Sequence, residues 1–192
     1  MRTSRHDLRP RRRSPEHRVR RGEVLRSVVA AAEARRDGVL PTDVPGVDET
    51  FADALDLLGA LQLRWHARLA ARVEHEQAGQ PLDLTEAALR AWVGVADEMP
   101  GVRAVLDLAR LRPHDEVVEA AMTRATAKEH LLLAASAGRC GPTDLRRGAP
   151  LGAALELTAR GRWAGPREAT RSSGDDSAAA RLWGRLRALV PA

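Results

Sequence analysis

No proline interrupts residues 46–80, the longest such run in the chain. Within it, Asp48–Gln77 reads as one long helix. Phe51, Leu55, Leu58, Trp65, Leu69 and Val73 fall on one stripe, with Ala54 and Leu61 at its edge. Residues three and four apart share a helix face, whereas residues two apart share a strand face, so this is helical spacing. Asp53, Asp56, Arg64, Arg68 and Glu74 lie opposite. Asp48 is the expected N-cap, its carboxylate accepting from the orphan N–H groups of the first turn. Gly79 and Pro81 supply a stop. At ~1.5 Å per residue the rod is roughly 45 Å long, so other helices must pack along it.

Two polar residues interrupt the stripe. Gln62 lies near its centre and His66, one turn on, at its rim. They are spaced to hydrogen-bond along the helix. One reading is a satisfied internal polar pair, the usual fate of polar groups in a core. The other is a ligand-contacting pair inside a bundle, with Glu129 of a second long helix as its partner.

The remaining chain offers helices to pack on this rod. Ser14-Pro15 starts one, to about Asp37, with Leu25, Val28, Val29 and Ala32 on its apolar face. Asp83 with Glu86 three later starts another, about 84–99, burying Leu89, Trp92, Val93, Ala96 and Met99. A short helix at about 101–111 uses Val102, Val105, Leu106 and Ala109. A long one at about 114–137 carries Val118, Ala121, Met122, Ala125, Leu132 and Ser136, with Glu129 inside the stripe. A carboxylate there must be paired or lie at a margin, because an isolated buried charge is very costly.

The chain ends differ in texture. Residues 1–14 are proline-broken and charge-dense, which predicts a disordered arm. Residues 141–176 are rich in Gly, Pro, Arg and Ser and read as a basic linker with one short helix at about 150–160. Residues 177–192 read as an amphipathic helix, with Leu182, Trp183, Leu186, Leu189 and Val190 on one face and Arg181, Arg185 and Arg187 around the other. The expected fold is therefore all-α: a bundle of about five helices over 15–140, between a basic arm and a basic tail.

A hydrophobic content of 44% supports a core over 192 residues, but one Phe and no Tyr imply thin Ala/Leu/Val seams rather than aromatic clusters. The net charge of +5 hides a pattern: +7 over residues 1–22, zero over 23–42, −7 over 43–130 and +5 over 131–192. Thirty Arg against one Lys, Lys128, reflect GC-rich coding, as in a bacterium of high GC content, and not selection for arginine chemistry. The single Cys140 allows no internal disulfide and no cysteine-based zinc site, and it fits a reducing cytoplasm. The longest apolar runs are far below the ~20 residues a membrane span needs. The basic start is followed by Arg26 and Glu33 rather than a clean apolar segment, so a signal peptide is not expected.

Chemistry-bearing motifs are scarce. No Glu-x-x-His or His-Glu-x-x-His occurs, and adjacent pairs such as Glu129-His130 diverge by about 100° on a helix, so no metal ion is expected. There is no Gly-x-Ser-x-Gly, no Walker-type loop and no second signature near Cys140, so neither a catalytic residue nor a cofactor is assigned. Arg9, Arg11, Arg12, Arg13, Arg18, Arg20 and Arg21 are the candidate polyanion ligands. A helix–turn–helix over 86–111 would present only Arg103, Arg110 and Asp107 from its second helix, too little positive charge. Leu182, Trp183, Leu186 and Leu189 are the candidate partner-binding residues. The sequence thus predicts a non-catalytic binding or adaptor protein, acting through a protein partner or self-association, with nucleic-acid contact by its basic ends. The alternative is a bundle with an internal ligand or metal site near Gln62, His66 and Glu129.

Overall fold

The computed structural model describes the backbone of residues 15–79 and 82–165, and the side chains from Val19 onward. Among these residues the chain is all-α, with no strand. The helices are α1 (Pro15–Arg35), α2 (Val47–Thr50), α3 (Ala54–Gly79), α4 (Leu84–Glu98), α5 (Pro100–Leu111), α6 (Glu116–Ser136) and α7 (Leu145–Arg162). No helix among them is long and apolar enough to cross a membrane. The arm residues Arg9, Arg11, Arg12 and Arg13, the side chain of Arg18, and the tail residues Leu182, Trp183, Leu186 and Leu189 lie outside the described residues.

The rod expected from Asp48 is two pieces. Phe51 is extended (φ −109°, ψ 138°) and separates α2 from α3. Asp53, not Asp48, caps the long helix: its carboxylate accepts from the Asp56 N–H at 2.7 Å. The break turns Phe51 inward, beneath the Arg21 guanidinium, which lies 4.2 Å from its ring centre. Arg21 also forks onto Asp56 at 2.6 and 3.0 Å. Beyond the break the predicted stripe holds. Leu58, Leu61, Trp65, Leu69 and Val73 are buried, joined by Leu57.

Short side-chain caps set the other starts. Asp83 accepts from Glu86 N–H at 2.9 Å to open α4, and Asp115 accepts from Val118 N–H at 2.7 Å to open α6. Pro100 begins α5, where its missing N–H is no loss. The next two N–H groups of α5, Gly101 and Val102, donate to the Glu33 carboxylate of α1 at 2.9 and 3.1 Å. A carboxylate at a helix N-terminus also complements the helix dipole. At Gly101 a Cβ would sit 2.1 Å from the Ala32 carbonyl oxygen, so α1 and α5 cross backbone against backbone.

The largest departure from the sequence reading is α7. The sequence predicts only a short helix at about 150–160 within a basic linker. The helix instead starts five residues earlier, where Asp144 accepts from Arg147 N–H at 3.1 Å, and Pro150 lies within it. It packs on α6 more extensively than any other helix pair in the fold. The contact depends on Gly152, where a Cβ would sit 1.9 Å from the His130 carbonyl oxygen. The helical body therefore continues past Cys140 to Trp163.

The core also departs from the expected thin seams. Trp65, Trp92 and Trp163, from α3, α4 and the end of α7, stack edge to face in a row. Their ring centres are 6.0 and 5.8 Å apart. Such T-shaped pairs contribute about 0.5–1.5 kcal/mol each beyond the area they bury. Around them lie Val28, Leu57, Leu61, Leu69, Val95, Val102, Val105, Leu106 and Leu133.

Candidate functional site

Six charged or polar side chains are buried among the described residues, and five of them form one network with Arg160. Helix α5 supplies Arg103 and Asp107, one turn apart, with Arg103 Nη2 2.9 Å from Asp107. Both are only 2–3% exposed. Helix α6 supplies Glu129 and His130. Although these neighbours diverge around the helix, both are buried because α6 is covered on two sides. Helix α7 supplies Glu156 and Arg160, again one turn apart.

The contacts run through all three helices. Arg103 Nη1 lies 3.3 and 3.4 Å from the two Glu129 oxygens. Trp92 Nε1 donates to Glu129 at 3.2 Å, and Gln62 Nε2 reaches its second oxygen at 3.5 Å. Arg160 forks onto Asp107 at 2.6 and 2.8 Å and onto Glu156 at 2.6 and 2.8 Å. Arg110 adds a longer contact to Glu156 at 3.2 Å, and His130 Nε2 lies 2.5 Å from Glu156. An ionised carboxylate only accepts, so His130 Nε2 carries the hydrogen. The guanidiniums also meet the tryptophan row. Arg103 lies 4.7 Å from the Trp65 ring centre and Arg160 5.0 Å from that of Trp92.

Three arginines thus face three carboxylates. Burial works against the charge of Glu156, but the His130 hydrogen bond and the Arg160, Arg103 and Arg110 charges outweigh it. The carboxyl is held well below the ordinary carboxylate range. Burial likewise works against Arg160, and Asp107 and Glu156 reverse it, raising the guanidinium above its ordinary value. A carboxyl whose folded value is depressed contributes stability above its unfolded value of about 4.3, and that contribution is lost as pH falls toward the folded value. Glu156→Gln is therefore expected to destabilise the protein most at pH 7. The difference from the unaltered chain should shrink as pH falls below about 4.3, as read by urea unfolding across pH.

The sequence candidates are partly assembled. Gln62 and Glu129 meet, and Glu129 faces inward. Half-buried His66 makes no hydrogen bond or ion pair to either among the described residues. Both Glu129 oxygens already accept from Arg103, so the geometry is that of an internal tie. No group of three His, Cys, Asp or Glu among the described residues is arranged to hold a metal ion. Arg103 and Asp107 belong to the interior and not to a recognition helix, which removes the helix–turn–helix geometry over 86–111. Of the candidate polyanion ligands, Arg20 is exposed, whereas Arg21 is tied to Asp56 and Thr50. Asp107, His130, Glu156 and Arg160 were not anticipated as partners. Their one sequence signal is the pair of opposite charges four apart in both α5 and α7.

The accessible feature is a groove of about 1370 Å³ between α1 and α3. Leu25 and Val29 form one wall, Leu55, Ala60, Leu63 and Ala67 the other, and Glu98 and Met99 close one end. Leu63 is 70% exposed on the α3 wall. Along the rim, Arg21 pairs with Asp56 and Arg68 with Glu98. None of the buried network's residues lines this groove.

Comparison of the chain with protein-family models, with curated proteins and with solved structures finds no match to any of them.

Proposed function

We propose that this chain is a non-catalytic binding protein that takes an amphipathic helix of a protein partner along the α1–α3 groove. The observation that supports this reading is the groove's chemistry. Exposed Leu63 and Ala67 of α3 stand beside half-buried Leu25, Val29, Leu55 and Ala60, and two rim pairs, Arg21–Asp56 and Arg68–Glu98, neutralise each other. A helix laid in such a groove buries its apolar face without having to neutralise the walls. The interior carboxylates Glu129, Asp107 and Glu156 each already accept from a guanidinium, while Arg103 Nε is buried without a partner among the described residues. The arginines of the basic ends would add salt-dependent attraction to nucleic acid or an acidic partner. The single half-buried cysteine fits a reducing, cytoplasmic setting.

The test places a photo-cross-linking residue at Leu63 of the intact chain in nuclease-treated lysate. The expected result is cross-linking to an apolar helical peptide of a discrete protein, abolished when Ala67→Arg fills the groove. Cross-links that persist in the Ala67→Arg chain, or an absence of any cross-link at Leu63, would overturn it.

A further inference from the structure

We infer that the α1–α3 groove is filled by the chain's own C-terminal segment, Ser177–Val190, when no partner is present. The inference rests on the groove being a helix-binding surface. Three observations support this occupant.

The first is length. As the amphipathic helix its pattern predicts, Ser177–Val190 would be about 21 Å long at ~1.5 Å per residue. The α3 wall from Leu55 to Ala71 runs about 24 Å by the same measure. The second is reach. The described chain leaves α7 at Trp163, whose indole donates to Asp97 at 3.0 Å, next to the Glu98 and Met99 that close the groove. From Pro166 to Asp176 an extended chain spans up to roughly 36 Å, longer than the α3 wall itself. The third is chemistry. Leu182, Trp183, Leu186 and Leu189 form one apolar face, which matches Leu25, Val29, Ala60, Leu63 and Ala67 on the two walls. Arg181, Arg185 and Arg187 lie off that face and would stay in water.

Because the segment belongs to the same chain, its binding to the groove is intramolecular and has an effective concentration set by the tether. A partner helix would have to bind more tightly than that to displace it. The tail would then set a threshold for partner binding.

The test uses the full chain with a benzophenone residue at Leu63, purified alone. The expected result is a cross-link to the tryptic peptide Leu182–Arg185. In a mixture of isotopically light and heavy chains the cross-link should join only light to light and heavy to heavy. It should be lost in Leu186→Arg, and the same substitution should raise cross-linking of a partner in lysate. Light-to-heavy cross-links would assign the groove to a second copy and overturn the inference. So would a failure to reach the tail. If the probe meets a partner's helix in lysate but never the tail, this inference falls and the binding-groove reading stands. If it meets neither, both fall.

Discussion

Replacing Gly152 by alanine is expected to destabilise the protein by about 3 kcal/mol or more, at the upper end of overpacking effects. The added Cβ would meet the His130 carbonyl oxygen at 1.9 Å and its carbonyl carbon at 2.4 Å. These are backbone atoms of a hydrogen-bonded helix, so they cannot rotate aside as a side chain does. Relief requires α7 to move off α6, and that movement would pull Arg160 and Glu156 away from Asp107 and His130. For a chain of this size the melting temperature should fall by roughly 6–12 °C. Gly161→Ala in the same helix is the control. A Cβ there meets no atom within 4 Å, so better helix propensity should leave stability unchanged or raise it by up to about 1 kcal/mol. Equal effects at the two sites would show that close approach is not what holds glycine at 152.

The second large effect is expected from uncoupling the buried charges. Arg103→Met should cost about 3–5 kcal/mol, because it leaves Glu129 in an apolar interior with only the Trp92 and Gln62 donors. Glu129→Gln should cost less, since its amide oxygen still accepts from Trp92. The double variant should be more stable than the sum of the two losses implies, by about 1–3 kcal/mol, because each change removes the charge that the other leaves stranded. Asp107 stays satisfied in every variant through its fork with Arg160. Additive losses in urea unfolding would mean that the pair acts only as packing volume.

These two sites also mark where sequence reasoning reached its limit. Helices α4 and α6 were legible because periodicity and capping agree within each of them, and α5 because Pro100 marks its start. Asp83 and Asp115 are local signals that need no tertiary context. Helix α7 was not, because Gly148, Pro150 and Gly152 in a row weaken any isolated helix. The reason for glycine at 152 is the backbone of α6, more than twenty positions away. The stripe of α3 was read well, yet its start was misplaced. Asp48 and Asp53 are both fair caps, and only the inward turn of Phe51 chooses between them.

The polar interior was half legible. Glu129 was flagged because it interrupts an apolar stripe, and its meeting with Gln62 followed from two such interruptions in long helices. Arg103 and Asp107 lie beside their helix's apolar stripe and not within it. They read as solvated until α1, α3 and α6 close around α5 and Arg160 of α7 reaches Asp107. His66, on the rim of the same stripe, makes no hydrogen bond or ion pair with Gln62 or Glu129 among the described residues.

The row of tryptophans has a consequence for how the protein is made. Synthesis delivers Trp65 and Trp92 first, while Trp163 and Arg160 emerge some seventy positions later. Until they do, Trp92 lacks its second ring neighbour and Asp107 lacks the guanidinium that forks onto it. Once the chain has emerged as far as Gly138, α1 to α6 are outside the ribosome, with a gap where α7 belongs. That gap leaves Trp92 and Asp107 uncovered and closes when α7 docks.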